Sequence, residues 1–262
     1  MGDFMEKKAI PIGIENFEDI IKDNYYYVDK SMLIEDILVN RAAVTLFTRP
    51  RRFGKTLNMS MIKYFFDVRN KDENRKLFEG LKIFGSEYMK EQGKYPVIFV
   101  SLKDLRADTW EDTFENLKSF ISDLYAEFED MREIMNKRDK IKFDKIFYEE
   151  EKGDYETSLK LLSNYIYKYY GKKVIILIDE YDAPIINAFD KGYYNEAINF
   201  FQVFYSSALK TNDSLKYGIL TGITRIIKEG IFSGLNNLKV DTILNKKFSE
   251  YFGLLESEVI KM

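Results

Sequence analysis

An apolar run, Ala43-Val44-Thr45-Leu46-Phe47, leads into Thr48-Arg49-Pro50-Arg51-Arg52-Phe53-Gly54-Lys55-Thr56, after which Leu57, Met61, Tyr64 and Phe65 recur at helical spacing. No other stretch constrains the fold as much. The short β-branched and aromatic run predicts a buried strand, and the i, i+4, i+7, i+8 pattern predicts a helix starting directly after Gly-Lys-Thr. Strand, tight loop and helix in that order aim backbone N–H groups at one spot, which suits phosphate. Gly54 lets the backbone approach closely, Lys55 reaches the outer phosphates, and the Thr56 hydroxyl ligates Mg2+. Arg51, Arg52, Phe53 and Leu57 complete the expected nucleotide contacts. The usual phosphate loop has glycine where Arg49 stands. Pro50 pushes Arg49 toward extended backbone, so the loop is expected to open by a turn that does not use glycine's left-handed freedom. Arg49, Arg51 and Arg52 are open to several roles: screening phosphate, touching a neighbouring subunit, binding nucleic acid or facing solvent. Contact with phosphate or with another domain is the expectation for at least one of them.

A second apolar run, Val174–Ile178, ends in Asp179-Glu180. Behind a Gly-Lys-Thr loop, this pattern predicts a metal-orienting Asp179 and a catalytic Glu180 that polarises the attacking water. Alone, an apolar run ending in Asp-Glu is common and usually structural. Asp182 either caps the following helix or supports the site, and the cap is the preferred reading. A third run, Tyr217–Leu220, ends in Thr221-Gly222-Ile223-Thr224-Arg225. Where a strand is inserted between the two motif strands, its end lies beside the γ-phosphate. Thr221 is then a nucleotide contact, and Arg225 a catalytic cation that neutralises charge and reports to 226–238.

Val97–Val100 gives a fourth strand. Trp110, Phe114, Leu117, Ile121, Leu124, Phe128 and Met131 alternate 4 and 3 apart, a long helix capped by Asp108 or Thr109 and packed on a sheet rather than in a coiled coil. Leu159–Tyr169, stopped by Gly171, and Ala197–Ala208 are further helices. The charged stretch Asn136–Lys152 reads as a solvated helix end or an inserted, mobile loop. Strands alternating with helices imply an α/β fold with a mostly parallel sheet covered on both faces.

The chain has 262 residues with no cysteine and no histidine, so disulfides, Cys/His zinc sites and imidazole chemistry are excluded. A carboxylate is then the natural base. A net charge of −3 gives no global attraction to nucleic acid. No apolar run is long enough for a membrane span and the N-terminus has no signal core, so a cytoplasmic location is expected.

With these residues in place the chain resembles the AAA-ATPase-like domain proteins, a group of P-loop ATPases from bacteria and some archaea. The matching stretches include Ile10–Ile14, Tyr25–Ser31, Thr48–Asn58, Ile178–Pro184, Leu220–Ile223, Ser233–Leu238 and Tyr251–Gly253. The resemblance makes Arg49 a family habit. It implies a three-layer P-loop NTPase of the ASCE or AAA+-like kind, with a central mostly parallel sheet and an inserted helical segment. ATP and Mg2+ are the implied cofactors, and an ATP-hydrolysing molecular switch the implied function. The alternatives are a nucleotide-binding regulatory module with negligible turnover and the ATPase part of a nuclease-associated system. Many family members carry a C-terminal PD-(D/E)XK nuclease-like domain, which this chain is expected to lack. Nucleic acid is therefore expected only through that domain, and a second copy or a protein partner is the other expected contact. Residues 1–40 are expected to lead into a core at 41–250, and 251–262 to begin a truncated lid helix. By the same resemblance the segment Ile12–Tyr27 covers the adenine, with Ile14, Phe17 and Tyr27 offered either as apolar contacts or as core.

Overall fold

The computed structural model describes residues 8–224 and 238–260. In chain order, α1 (Phe17–Lys22) and α2 (Met32–Asn40) precede β1 (Val44–Thr48), α3 (Lys55–Phe66) and α4 (Lys71–Lys76). Then come β2 (Val97–Ser101), α5 (Trp110–Ala126), α6 (Lys137–Phe147), α7 (Ser158–Tyr170) and β3 (Val174–Asp179). The chain continues through α8 (Ala183–Lys191), α9 (Tyr194–Leu209), β4 (Leu215–Gly222), β5 (Leu238–Asp241) and α10 (Glu256–Val259). These elements form two compact units, one of residues 1–41, 50–94 and 243–262, the other of 42–49 and 95–242.

The second unit holds the whole sheet. Its order is β2-β3-β4-β1-β5, with every pairing parallel. β4 therefore lies between β1 and β3, the inserted-strand arrangement expected from the sequence. Val44, Leu46, Ile98, Val100, Ile176, Ile178 and Leu220 share one core with Leu117 and Ile121 of α5, Leu162 and Ile166 of α7, and Phe201 and Phe204 of α9. Thr45, Phe47, Ile175, Leu177 and Ile219 alternate with them and are also at most 3% exposed. Both faces of the sheet are thus buried, as in a three-layer α/β P-loop NTPase fold, and this explains why the strands read as continuous apolar runs.

Two sequence expectations change here. Asn136–Lys152 is not merely a helix end or a loop: Lys137–Phe147 forms the regular helix α6, whose N-cap, Asn136, accepts a bond from the Asp139 N–H, and only the residues after it are turn. Its buried face is only Phe143 and Ile146, too narrow to show among so many charges. The helix begun at Trp110, capped by the Thr109 hydroxyl, stops at Ala126, and Phe128 and Met131 reach the core from a tighter 3-10 turn. β5 had no signal, being four residues long with two of them charged.

In the first unit α1 packs on α3. Phe17 is fully buried, with the rings of Phe78 and Tyr27 at 5.2 and 5.5 Å and its N–H bonded to Ser60 Oγ at 3.0 Å. Burying such a ring stabilises by roughly 1.5–3 kcal/mol.

Candidate functional site

The phosphate loop lies in the first unit. Gly54 sits at φ +70° immediately before α3, a left-handed conformation that glycine adopts without steric cost. Arg52 is also left-handed, at φ +67°. The loop does open without left-handed backbone at Arg49, and the strain falls on Arg52 instead. Helix α3 then starts with a cation. Lys55 is 5% exposed, has no acidic residue beside it in the first turn, and donates to the Pro50 carbonyl at 2.9 Å across the loop. A helix N-terminus carries partial positive charge and prefers carboxylates, as α1 has with Glu18 and Asp19 and α5 with Glu111 and Asp112. In α3 that place holds Lys55, a cation beside the N–H groups of the first turn. Thr56 follows in the first turn, half-buried, while Arg51 and Arg52 are exposed.

Arg49 does something else. Its side chain is buried, donating to the carbonyls of Thr48 and Asp241 at 2.9 Å each and to Asp241 Oδ1 at 2.6 Å. It fastens the end of β1 to β5. The phosphate or interdomain contact expected of at least one of the three arginines is then left to Arg51 and Arg52, because the Arg49 guanidinium is bonded inside the sheet.

The loop borders a cavity of about 280 Å³ within the same unit, lined by Tyr26, Tyr27, Arg52, Phe53, Leu57 and Tyr251, among others. Of the apolar contacts expected from the N-terminal segment, Tyr27 lines it, whereas Phe17 is core and Ile14 lies outside it. The other wall is the segment expected to begin a lid helix, Tyr251 to Leu254. There the Gly253 N–H bonds to the Phe53 carbonyl at 3.0 Å, and Asn58 Nδ2 donates to the Tyr251 carbonyl at 2.8 Å. Lys30 donates to the Glu250 carbonyl at 2.6 Å and pairs with Glu258 at 2.7 Å. Tyr251-Phe252-Gly253 was visible as a motif, but its tie to the loop spans about two hundred residues.

The acid pair lies in the second unit. Asp179, fully buried at the end of β3, accepts a hydrogen bond from the Thr221 hydroxyl at the end of β4. Glu180, half-buried, has φ +51°, a left-handed conformation uncommon for a residue with a long side chain. Strained backbone of this kind clusters at functional sites. Asp182 occupies the N-cap position of α8 but makes no side-chain cap. Its Oδ2 instead accepts the N–H groups of Ile223 and Thr224 at 2.8 Å each and the Thr224 hydroxyl at 3.1 Å, so the helix-cap reading gives way to a tie on the chain after β4. Tyr181 adds a bond from its hydroxyl to the Thr224 carbonyl at 2.8 Å. A Cβ on Gly222 would stand 2.6 Å from the Tyr181 ring and 2.8 Å from Asp182 Oδ1, so only glycine fits. Arg225 and residues 226–237 lie outside the described residues.

A family model described as Predicted AAA-ATPase matches residues 11–232. The chain belongs to this AAA-ATPase-like family. Among curated proteins it is similar to an uncharacterized protein in the vnfD 5' region of Azotobacter chroococcum mcd 1, at 26% identity over 259 residues. That match covers 97% of this chain and 45% of the relative, so the chain spans about half the length of the protein it resembles. No solved structure matches. Among the described residues no helix is long and apolar enough to cross a membrane.

Within an AAA-ATPase-like chain, the residues present fit a magnesium nucleotide. The first turn of α3 presents N–H groups of the kind that can face phosphates. Mg2+ usually takes one or two protein ligands and completes its shell with water and phosphate, so it needs no carboxylate cage. Among the described residues no group of three carboxylates stands together as one.

Proposed function

We propose that this AAA-ATPase-like chain binds ATP with Mg2+, hydrolyses it and uses the exchange as a switch. The observation that carries the reading is the loop's geometry: Gly54 in left-handed backbone at φ +70° and a buried Lys55 opening helix α3 directly after it. In this reading Lys55 and Gly54 hold the phosphates, with Arg51 and Arg52 as exposed outer contacts. Thr56 and Asp179 hold the metal, and Thr221 keeps the Asp179 carboxylate oriented. Glu180 draws the proton of the attacking water, the one acid–base task a chain without histidine must give to a carboxylate. The cavity beside Phe53 and Leu57, walled by tyrosines, takes the base. When bound, ATP supplies the phosphoanhydride whose cleavage separates the two states of the switch.

Thermal unfolding with Mg–ATP, Mg–ADP and Mg–GTP tests this. A ligand that binds only the folded chain raises the melting temperature with concentration. Adenine nucleotides are expected to shift it more than GTP. No shift with any nucleotide would overturn the reading. A shift without phosphate release would keep binding and remove hydrolysis.

A further inference from the structure

A second cavity, of about 470 Å³, opens in the sheet-bearing unit and shares no residue with the phosphate loop or the acid pair. Its volume falls in the range of about 300–1,000 Å³ usual for ligand sites. Three elements build it: the start of α5, the segment 153–157 and the first half of α9. Trp110, Phe114 and Phe200 form its aromatic wall, each pair of rings 5.7 Å apart. The buried Tyr155 ring meets Phe114 edge-on at 5.8 Å. This ring is pressed against the Gly153 backbone, where a Cβ would come within 2.7 Å of it, so the wall is closely built.

The charged residues of the lining are Asp154, Glu156 and Glu196, with no lysine or arginine among them. Among the described residues, the carboxylates of Glu156 and Glu196 make no ion pair, and Asp154 stands 3.9 Å from Lys142 with both side chains largely in solvent. Such an exposed pair is worth little. Burial above all, followed by the charges of Glu149, Glu115 and Glu150, pushes the Tyr155 phenol up to about 12. Aromatic faces combined with carboxylates attract organic cations, which leave water more readily than small metal ions do. The fold already makes this pairing at the edge of the wall, where the Lys118 ammonium lies 5.7 Å from the Phe114 ring centre and 2.6 Å from Glu115.

We propose that the cavity lined by Trp110, Phe114, Phe200, Asp154, Glu156 and Glu196 is a binding site for an organic cation, an alkylammonium or guanidinium group. The site requires no nucleotide chemistry, so it stands or falls apart from the ATPase reading.

Trp110 is the one tryptophan of the chain and reports directly on the site. Its fluorescence is titrated with tetramethylammonium chloride and with ethylguanidinium chloride. The controls are sodium chloride and magnesium chloride at equal ionic strength, and tert-butanol as an uncharged analogue. Saturable changes are expected with both organic cations and not with the controls. The half-saturating concentration should rise about tenfold in the double variant Asp154→Asn, Glu196→Gln, both of whose sites are exposed and leave the core intact. A blocked tripeptide carrying arginine distinguishes the source: tighter binding than ethylguanidinium assigns the site to a polypeptide side chain, equal binding to a free small cation. A linear response, an equal response to tert-butanol or to the inorganic salts, or titrations unchanged in the double variant would overturn the proposal.

Discussion

The guanidinium of Arg49 stands 2.6 Å from Oδ1 of Asp241, 192 residues further along the chain, with 1% and 3% of the two side chains exposed. This pair ties the end of β1, where the phosphate loop begins, to the outermost strand of the sheet. Removing one partner leaves a buried charge without its counterpart, so Arg49→Met alone should destabilise by about 3–5 kcal/mol. Arg49→Met with Asp241→Leu should recover much of that loss. Urea unfolding of the two variants checks it. If Arg49→Met unfolds like the parent but no longer binds nucleotide, the arginine serves phosphate after all.

Lys55 and Glu180 should fail in different ways. Lys55→Ala removes charge that acts on the bound nucleotide, so nucleotide-dependent thermal stabilisation should largely vanish. Glu180→Gln keeps shape and loses basicity, so binding should persist while turnover falls by about 100-fold or more. Calorimetric binding and single-turnover phosphate release separate the two. Undiminished hydrolysis by Glu180→Gln would remove Glu180 from the role of base.

The left-handed backbone at Glu180 gives a separate prediction. A glycine there relieves the clash between Cβ and carbonyl that an L-residue meets at φ +51°. Glu180→Gly should therefore hold stability or raise it by up to about 1 kcal/mol while abolishing turnover. A large loss of stability would show that the Glu180 side chain is structural.

Gly222 is pressed against Tyr181 and Asp182. Gly222→Ala should cost about 2 kcal/mol, because the added methyl must displace a buried ring and a carboxylate already holding the Ile223 and Thr224 N–H groups. Gly54→Ala, with nothing near its Cβ but φ +70°, should cost less stability and more nucleotide affinity. Thermal melts with and without nucleotide check both.

The C-terminal wall of the cavity should loosen in acid. Burial pushes the Glu258 carboxyl up, but the Leu255 N–H and the Lys30 ammonium outweigh it, and the group ends below its ordinary value of 4.5. A carboxylate whose pKa is lowered by folding stabilises above its unfolded value and loses that contribution as pH falls through the folded one. Hydrogen-exchange protection at 255–260, taken relative to the intrinsic rate at each pH, should fall below about pH 4.5, and Glu258→Gln should abolish that fall. Protection at these residues that does not change with pH in the parent would show that the Lys30 pair does not hold the segment.

Much of this site was legible along the chain because the signals are local. Apolar runs marked β1, β2, β3 and β4, and the spacing after Thr56 marked α3. The hydrogen bond from Thr221 to Asp179, by contrast, joins the ends of two strands and appears only in the fold. The misreadings share a cause. Asp182 was read as a cap because it precedes a helix, yet its acceptors are filled by N–H groups 41 and 42 residues away. The face of α6 was too narrow, and β5 too short and charged, for any periodicity to show.

The sequence by itself determined most of the strands and helices, β1 to β4 and α3 among them, and the position of Gly54 and Lys55 at the start of α3. Backbone sterics and the alternation of apolar side chains act between near neighbours. Only the tertiary structure decided what each polar side chain is spent on. It took Arg49 into the sheet against Asp241, turned Asp182 to the chain after β4, forced Glu180 and Arg52 into left-handed backbone, and set Gly253 on Phe53. The reason is energetic. A buried hydrogen-bonding group must be satisfied wherever the packed chain offers a partner, and that partner is fixed by the fold and not by distance along the sequence.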